Sequence, residues 1–506
     1  MNSTLANRWS LLDGRRSAVL LRAEEAARVT IPALFTREGH TESSNLPTPY
    51  QGLGARAVNT LAAKINLALF PPSTRFFRLG VSSAVKAESD EKTLSQFEEI
   101  LSEIESDLTD MFESSNARSV LPDFARQMLV TGNYLLEVDP DGDVVGYNLR
   151  SFCVDRDGRG RWIELLIREE VSPATLSDEV IRACEIKAND KDPDADVVVY
   201  TGCFMEQGGK RYRYHQEING KTVPGSEGTF AADKPRFIPL RMTPVAGESY
   251  GRGLVSEYQG DWNALDDLSR DLLKASANAA KIIWLRDPNG TLSSKKLAAA
   301  KSGDILDGRP SEVAALTLDK YADFRVSLER IAALEDQLQR AFLMHSSVQR
   351  NAERVTAEEI RFMAQELESA LGGVYSVLAR ELQVAYLGRL IEVGARKRAI
   401  PKIPRSMVRM KITTGLEALG RGADLTNIRS AVGVTKELLG EQETLVRVNA
   451  DSVLTKVAAA HGMKKDEFLN TEDQVKQIRQ QNMAANMMQG AAPGVATEIT
   501  KGMMQQ

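Results

Sequence analysis

Gly247-Glu248-Ser249-Tyr250-Gly251 has the GxSxG spacing of a serine-hydrolase nucleophile elbow, where a tight strand-to-helix turn exposes the serine for attack. The strand-like run Arg236–Met242 before it and a helical run after it fit half of that context. Acyl transfer also needs a histidine to take the serine proton, and only His345 and His461 follow Ser249 in the chain. His345 ends one helical stretch and His461 lies in another, so no strand-end loop presents either. A tight turn delivering the chain into a helix accounts for the motif without any chemistry.

Other chemical patterns stop short of a site. Gly220-Lys221-Thr222 resembles the end of a phosphate-binding loop, but His215 stands where that loop's first glycine belongs. Asp190, Asp192, Asp194 and Asp196 alternate like the start of a calcium loop, yet Ala195 replaces its glycine and Thr201 its final acid. Gly415, Gly420 and Gly422 do not make GxGxxG. Cys153, Cys184 and Cys203 form no CxxC, and none of the four histidines sits in HExxH. A disulfide framework and a zinc site are therefore not expected, and a reducing compartment is. No cofactor, metal or enzymatic activity is predicted; without an ATPase motif, any energy must come from a partner.

The segment Met344–Val355, with Gln349, Arg350, Asn351 and Arg354, lies between two long helical stretches. Spacing alone reads it as a polar interhelical loop. Two closely spaced arginines can also touch a phosphate backbone through weak, salt-sensitive contacts.

These residues are carried by 506 residues with 64 basic and 69 acidic side chains, a net charge of −5. At about 150 residues per unit, that length implies roughly three structural units. A composition 42% hydrophobic and 26% charged is that of a globular chain. The acidic balance excludes gripping nucleic acid over the whole surface, which requires a basic footprint. Met1–Arg16 has no apolar signal core, and no window approaches the roughly 18 apolar residues of a membrane span, so synthesis in the cytoplasm without membrane insertion is expected.

Periodicity divides the chain. A helix over about Ala55–Phe70 buries Val58, Leu61, Ile65 and Leu69, and Pro71-Pro72 stops it. Leu94, Phe97, Leu101, Ile104, Leu108 and Met111 form one helical stripe with a strongly acidic opposite face. Over residues 134–242 the period falls to two, with hairpin signals at Asp141-Gly142, Asp157-Gly158, Gly208-Gly209 and Asn219-Gly220 and a helical interruption near Ser172–Lys187. Helices return at Leu254–Lys281, with Leu265, Leu268, Leu272 and Leu273 on the inner side, and at Val326–Leu343, which carries Leu328, Ile331, Leu334, Leu338 and Phe342. Between them lie a strand-like Ile282–Leu285 and a helix near Ser294–Lys301. The capping box Thr356-Ala357-Glu358-Glu359 starts a helix that could run to Gly394, about 55–60 Å, kinking at Gly372-Gly373. The expected class is α+β, predominantly helical.

Five stretches carry a family resemblance: Thr30-Ile31-Pro32-Ala33-Leu34-Phe35, Thr48–Pro71, Gly247–Arg252, Ser347–Leu378 and Thr414–Leu425. Through them the chain resembles the portal proteins, or head-to-tail connectors, of short-tailed, podovirus-type phages. The resemblance implies a subunit of a ring, typically of twelve copies, at one capsid vertex. Through that ring the terminase drives double-stranded DNA, which later leaves by the same channel. It also implies wing, stem, clip and crown parts: residues 1–253 as wing, 254–281 and 326–343 as stem helices, and 282–325 as clip. Residues 344–355 would be the channel (tunnel) loop, 356–425 the long wing helix and its return, and 426–506 the crown with a mobile tail. Gln349, Arg350, Asn351 and Arg354 would then face DNA, and Lys295, Lys296 and Lys301 would be candidate clip contacts. Implied partners are the terminase large subunit, a tail adaptor or tube protein, major capsid and scaffolding proteins and internal core proteins. Capsid-assembly nucleation, tail attachment and a virion location follow from the same resemblance. The readings from other classes are a Ser249 hydrolase and a helical scaffold protein.

Overall fold

The computed structural model describes residues 4–41, 43–72, 75–82, 85, 90–186, 195–279, 283–289, 292–307, 309–316, 321–344, 357–371, 373–401, 408–412, 419–441, 443–444, 448, 453–454 and 477–478. Helices and strands mix, with about 51% of the chain helical. The chain divides into two units, Met1–Gly415 and Leu416–Gln506. In the second, one helix spans Leu419–Leu439.

The first unit begins with helices Leu5–Arg15 and Ser17–Arg28. Thr4 caps the first, its hydroxyl accepting from Asn7 N at 3.4 Å. Arg16, between them, is 1% exposed. Its guanidinium donates to the carbonyl oxygens of Leu149, Arg150 and Phe152 and to Asp13, and it lies over the Trp9 ring at 5.3 Å. One buried cation thus fastens the N-terminal helices to the β-rich layer. Helix Leu53–Leu69 buries Val58, Leu61, Ile65 and Leu69 as the apolar spacing predicts. Helix Glu91–Ser114 buries Leu101, Ile104 and Leu108 and leaves Glu103, Asp107 and Asp110 exposed.

The strands are β1 Phe77–Val81, β2 Asn133–Val138, β3 Val144–Tyr147, β4 Phe152–Arg156, β5 Trp162–Val171, β6 Val197–Met205, β7 Arg211–Ile218, β8 Lys221–Thr222, β9 Gly228–Ala231, β10 Phe237–Arg241, β11 Ile283–Arg286, β12 Val313–Leu316 and β13 Val408–Ile412. A six-stranded antiparallel sheet runs β4-β5-β6-β7-β8, with β9 also on β7; a three-stranded sheet runs β10-β2-β3. All four hairpin signals sit between paired strands. At Ile218↔Lys221 the two central residues, Asn219 and Gly220, take φ of 53° and 74°, the left-handed pair that matches strand twist. Helix Asp178–Ala183 provides the expected interruption.

Two helical expectations are corrected. The helix starting at Leu254 breaks after one turn, into Leu254–Glu257 and Gln259–Ala279. The long helix after residue 356 is interrupted at the expected glycine pair, and a second time by a π turn that was not expected. Helix Ala357–Ala370 ends at a turn in which Gly373 takes φ 87°, and Val374–Leu378, a π turn Ala379–Gln383 and helix Val384–Arg396 follow. Ser376 N and Oγ both donate to Glu368 across the break. The π turn turns Gln383 inward, 0% exposed, where its amide donates to Leu69 O at the end of helix Leu53–Leu69.

Replacing Arg16 with methionine leaves its carbonyl partners buried and unpaired, at a cost of about 3 kcal/mol. Urea unfolding followed through Trp9 fluorescence should show a lower midpoint for Arg16→Met and a partial recovery for Arg16→Lys. An unchanged midpoint would mean that water serves these carbonyls equally well.

Candidate functional site

Ser249 is held as a structural residue. Its hydroxyl donates to Asp155 Oδ1 at 3.2 Å and accepts from Arg156 N at 3.2 Å, while Arg156 Nε donates to Ser249 O at 3.0 Å. No histidine among the described residues reaches it; His345 and His461 lie outside them. The neighbouring Tyr250 is buried, its hydroxyl accepting from Val154 N at 3.0 Å. The motif is a latch between β4 and the turn that follows β10.

That turn leads into a helix pair. Trp262 and Leu265 on Gln259–Ala279 pack with Leu334, Leu338 and Phe342, on and just after helix Tyr321–Ala341. The Trp262 and Phe342 rings meet edge-on at 5.4 Å, and Gln337 Nε2 donates to Asp261 at 3.0 Å. The start of one helix therefore lies against the end of the other, an antiparallel arrangement. Farther along, the apolar residues face outward: Leu273 is 61%, Val326 64% and Leu328 53% exposed. Leu273, expected on the inner side, and Leu328 are not covered by the described residues.

At the far end, β11 and β12 pair from Ile283↔Leu316 to Arg286↔Val313. Buried Glu312 accepts from Leu292 N at 3.1 Å, and Arg286 donates to Leu292 O at 2.8 Å, which folds the connecting loop onto the hairpin. Lys295 and Lys296, on the short helix Ser294–Ala299, and Lys301 are exposed and make no ion pair among the described residues. Gln349, Arg350, Asn351 and Arg354 lie outside the described residues.

The flanks of that segment meet at one residue that sequence reasoning missed. Lys64, on helix Leu53–Leu69, is only 6% exposed. Its ammonium donates to Leu343 O at 2.6 Å, just beyond helix Tyr321–Ala341, and stands 3.6 Å from Glu366 on helix Ala357–Ala370. Burial pushes the Lys64 pKa down, with Glu366 opposing the shift. Leu343 takes a positive φ of 55°, so the carbonyl that Lys64 holds marks where the chain leaves the helix. The signal was available: Lys64 shares the helical face of Ala57, Leu61 and Ala68, where a solvated lysine has no place.

Lys64→Met should loosen both flanks. Loss of one charge-assisted hydrogen bond corresponds to roughly tenfold faster amide exchange, expected in residues 334–344 and 363–371, while helix Ala117–Thr131 is unaffected. Equal exchange in the variant and the parent chain would remove Lys64 as the tie.

Comparison with known proteins accounts for this arrangement. The family model for the bacteriophage head to tail connecting protein matches residues 2–469. The portal protein of Escherichia phage T7 is 36% identical over 503 residues, covering 97% of this chain and 94% of that one. The portal protein of Enterobacteria phage T3 is 35% identical over 96% of this chain and 91% of its own length. The portal protein of Pseudomonas phage phiKMV is 30% identical over 99% of both. With the family matched along almost its whole length, the chain belongs to the bacteriophage head-to-tail connecting, or portal, proteins.

Proposed function

We propose that the chain is the repeating subunit of a ring, of twelve copies, at a single capsid vertex. Double-stranded DNA is driven in through the ring by the terminase large subunit and later ejected through it. The tail attaches to the same ring by an adaptor or tube protein, and capsid, scaffolding and internal core proteins assemble around it. The observation that carries this reading is the portal match over 97% of the chain. No enzymatic step is proposed: Ser249 works as a latch.

Within that reading, helices Gln259–Ala279 and Tyr321–Ala341 are the stem, and the β11–β12 hairpin with Lys295, Lys296 and Lys301 is the clip. Support comes from the exposed Leu273, Val326 and Leu328, apolar positions that a neighbouring copy would cover. Residues 1–253, with the β-rich layer, are the wing, and 426–506, within the second unit, the crown. The segment 344–355 is the channel loop, and the Lys64 tie supports this by bringing its two flanks together. Arg350 and Arg354 then meet passing phosphates, with Gln349 and Asn351 as neutral donors. An acidic subunit suits a conduit: a basic lumen would release counterions, bind DNA and stall it, whereas a repulsive wall with few arginines keeps DNA centred and movable.

Negative-stain images of the purified chain should show closed rings with a central hole; filaments or monomers alone would overturn the reading. Arg350→Ala and Arg354→Ala should leave rings intact but lower DNA packaging or retention severalfold. Wild-type packaging by both variants would take these arginines out of the mechanism.

A further inference from the structure

Positive charge also gathers at a cavity within the first unit. A cavity of about 160 Å³ is lined by Tyr214, Phe230, Arg236, Arg389, Glu392 and Arg396, among others. One wall is β7 and β9, the other helix Val384–Arg396. The helix is seated firmly there: a Cβ on Gly388 would come within 2.7 Å of Asp233 O.

The carboxylates at this cavity already have partners. Arg236 is paired with Glu137 at 2.6 Å and lies over the Tyr214 ring at 4.9 Å. Glu392 is paired with Lys234 at 2.7 Å. Arg396 donates to Pro140 O. Arg389 is left over. It is 8% exposed, its Nε donates to Val138 O at 3.2 Å, and its terminal nitrogens have no acceptor among the described residues. Burial, with Arg236 and Arg396 adding repulsion, pushes its pKa down, with Glu392 opposing the shift. A guanidinium in the lining of a cavity, with only its Nε hydrogen-bonded among the described residues, suits a bidentate oxyanion.

We propose that this cavity receives an acidic side chain of a neighbouring copy of the chain, with Arg389 as the buried anchor of the contact. The proposal rests on the ring reading. A ring closes through heterologous contacts, in which each copy presents a patch and its complement. The chain has the complement in quantity: Glu103, Asp107 and Asp110 on helix Glu91–Ser114 are exposed and unpaired among the described residues. Recession decides against DNA. A duplex is a rigid convex rod and cannot bring a phosphate to an arginine that is only 8% exposed in the lining of a small cavity, whereas an aspartate or glutamate side chain on a neighbouring subunit can enter it.

The test is ring assembly by the full chain, measured by mass photometry against protein and salt concentration for the parent, Arg389→Met, Arg389→Lys and, as an exposed control, Lys295→Met. Circular dichroism of each monomer checks folding. The expected result is an assembly midpoint raised about tenfold or more for Arg389→Met, as for a buried arginine anchor. Arg389→Lys should recover part of this, and Lys295→Met should match the parent. Parent-like assembly of folded Arg389→Met overturns the proposal. So does an effect confined to DNA retention, or a monomer whose melting temperature rises with inorganic phosphate while assembly is indifferent to residue 389. A parent chain that forms no rings would instead overturn the ring reading itself.

Discussion

A single crossing of backbones sets the direction of the helix pair. Helix Ala117–Thr131 ends at Gly132, whose φ is 75° and whose Cβ position lies 2.3 Å from the carbonyl carbon of Arg252. Gly253 lies as tightly against the same helix, its Cβ position 2.6 Å from Leu129 O. No side chain fits at either point, so both chains must be glycine for the strands to pass. Asn133 locks the crossing: its side chain accepts from Gly251 N at 2.8 Å and donates to Gly251 O at 2.9 Å. From there the chain leaves immediately into Leu254–Glu257 and the Gln259–Ala279 helix. Gly251 of the hydrolase-like motif is thus held at the crossing that positions a helix, and Ser249 and Tyr250 fasten the same turn to β4.

What could be read in the sequence was what local chemistry determines. Three of the four hairpins were legible because Gly142, Gly208-Gly209 and Asn219-Gly220 take backbone conformations that other residues rarely enter; in the fourth, Gly160 rather than Gly158 does so. The apolar stripe of Leu53–Leu69 was legible because its partners lie in the same chain. Leu273 was misplaced for the converse reason: a stripe shows that a face is to be covered, not by whom. The break at Gly373 was legible from the Gly372-Gly373 pair, since glycine enters the left-handed region that ends a helix. The π turn was invisible, since it exists to turn Gln383 toward the end of a distant helix.

The buried cations were the least legible feature and are the most consistent one. Arg16 is served mainly by the carbonyls of Leu149, Arg150 and Phe152, and Lys64 by Leu343 O. Arg156 donates to Ser249 O, Gly160 O and Pro239 O, while burial and then Arg241 hold its pKa down to about 10. Arg389 is bonded to Val138 O. In each case a cation uses backbone oxygens at a place where elements end or cross. Such carbonyls need a donor, and a long cationic side chain supplies one across several ångströms.

This choice affects the exterior. A buried cation served by a carboxylate removes one charge of each sign from the surface, but one served by carbonyls removes only the positive charge. Among the described residues the buried acids Glu105, Glu137, Glu164, Asp266 and Glu312 offset the buried cations, so the exterior keeps the acidic balance of the sequence, net charge −5. Glu103, Asp107 and Asp110, exposed on one helix, are part of that balance. For a subunit through whose ring DNA is to slide, the arrangement serves two purposes at once: cations stiffen the joints from within, and the outer charge discourages phosphates from settling. A recessed arginine such as Arg389 fits the same economy, open to a protruding carboxylate and closed to a duplex. Its charge can then act between subunits without acting on the DNA.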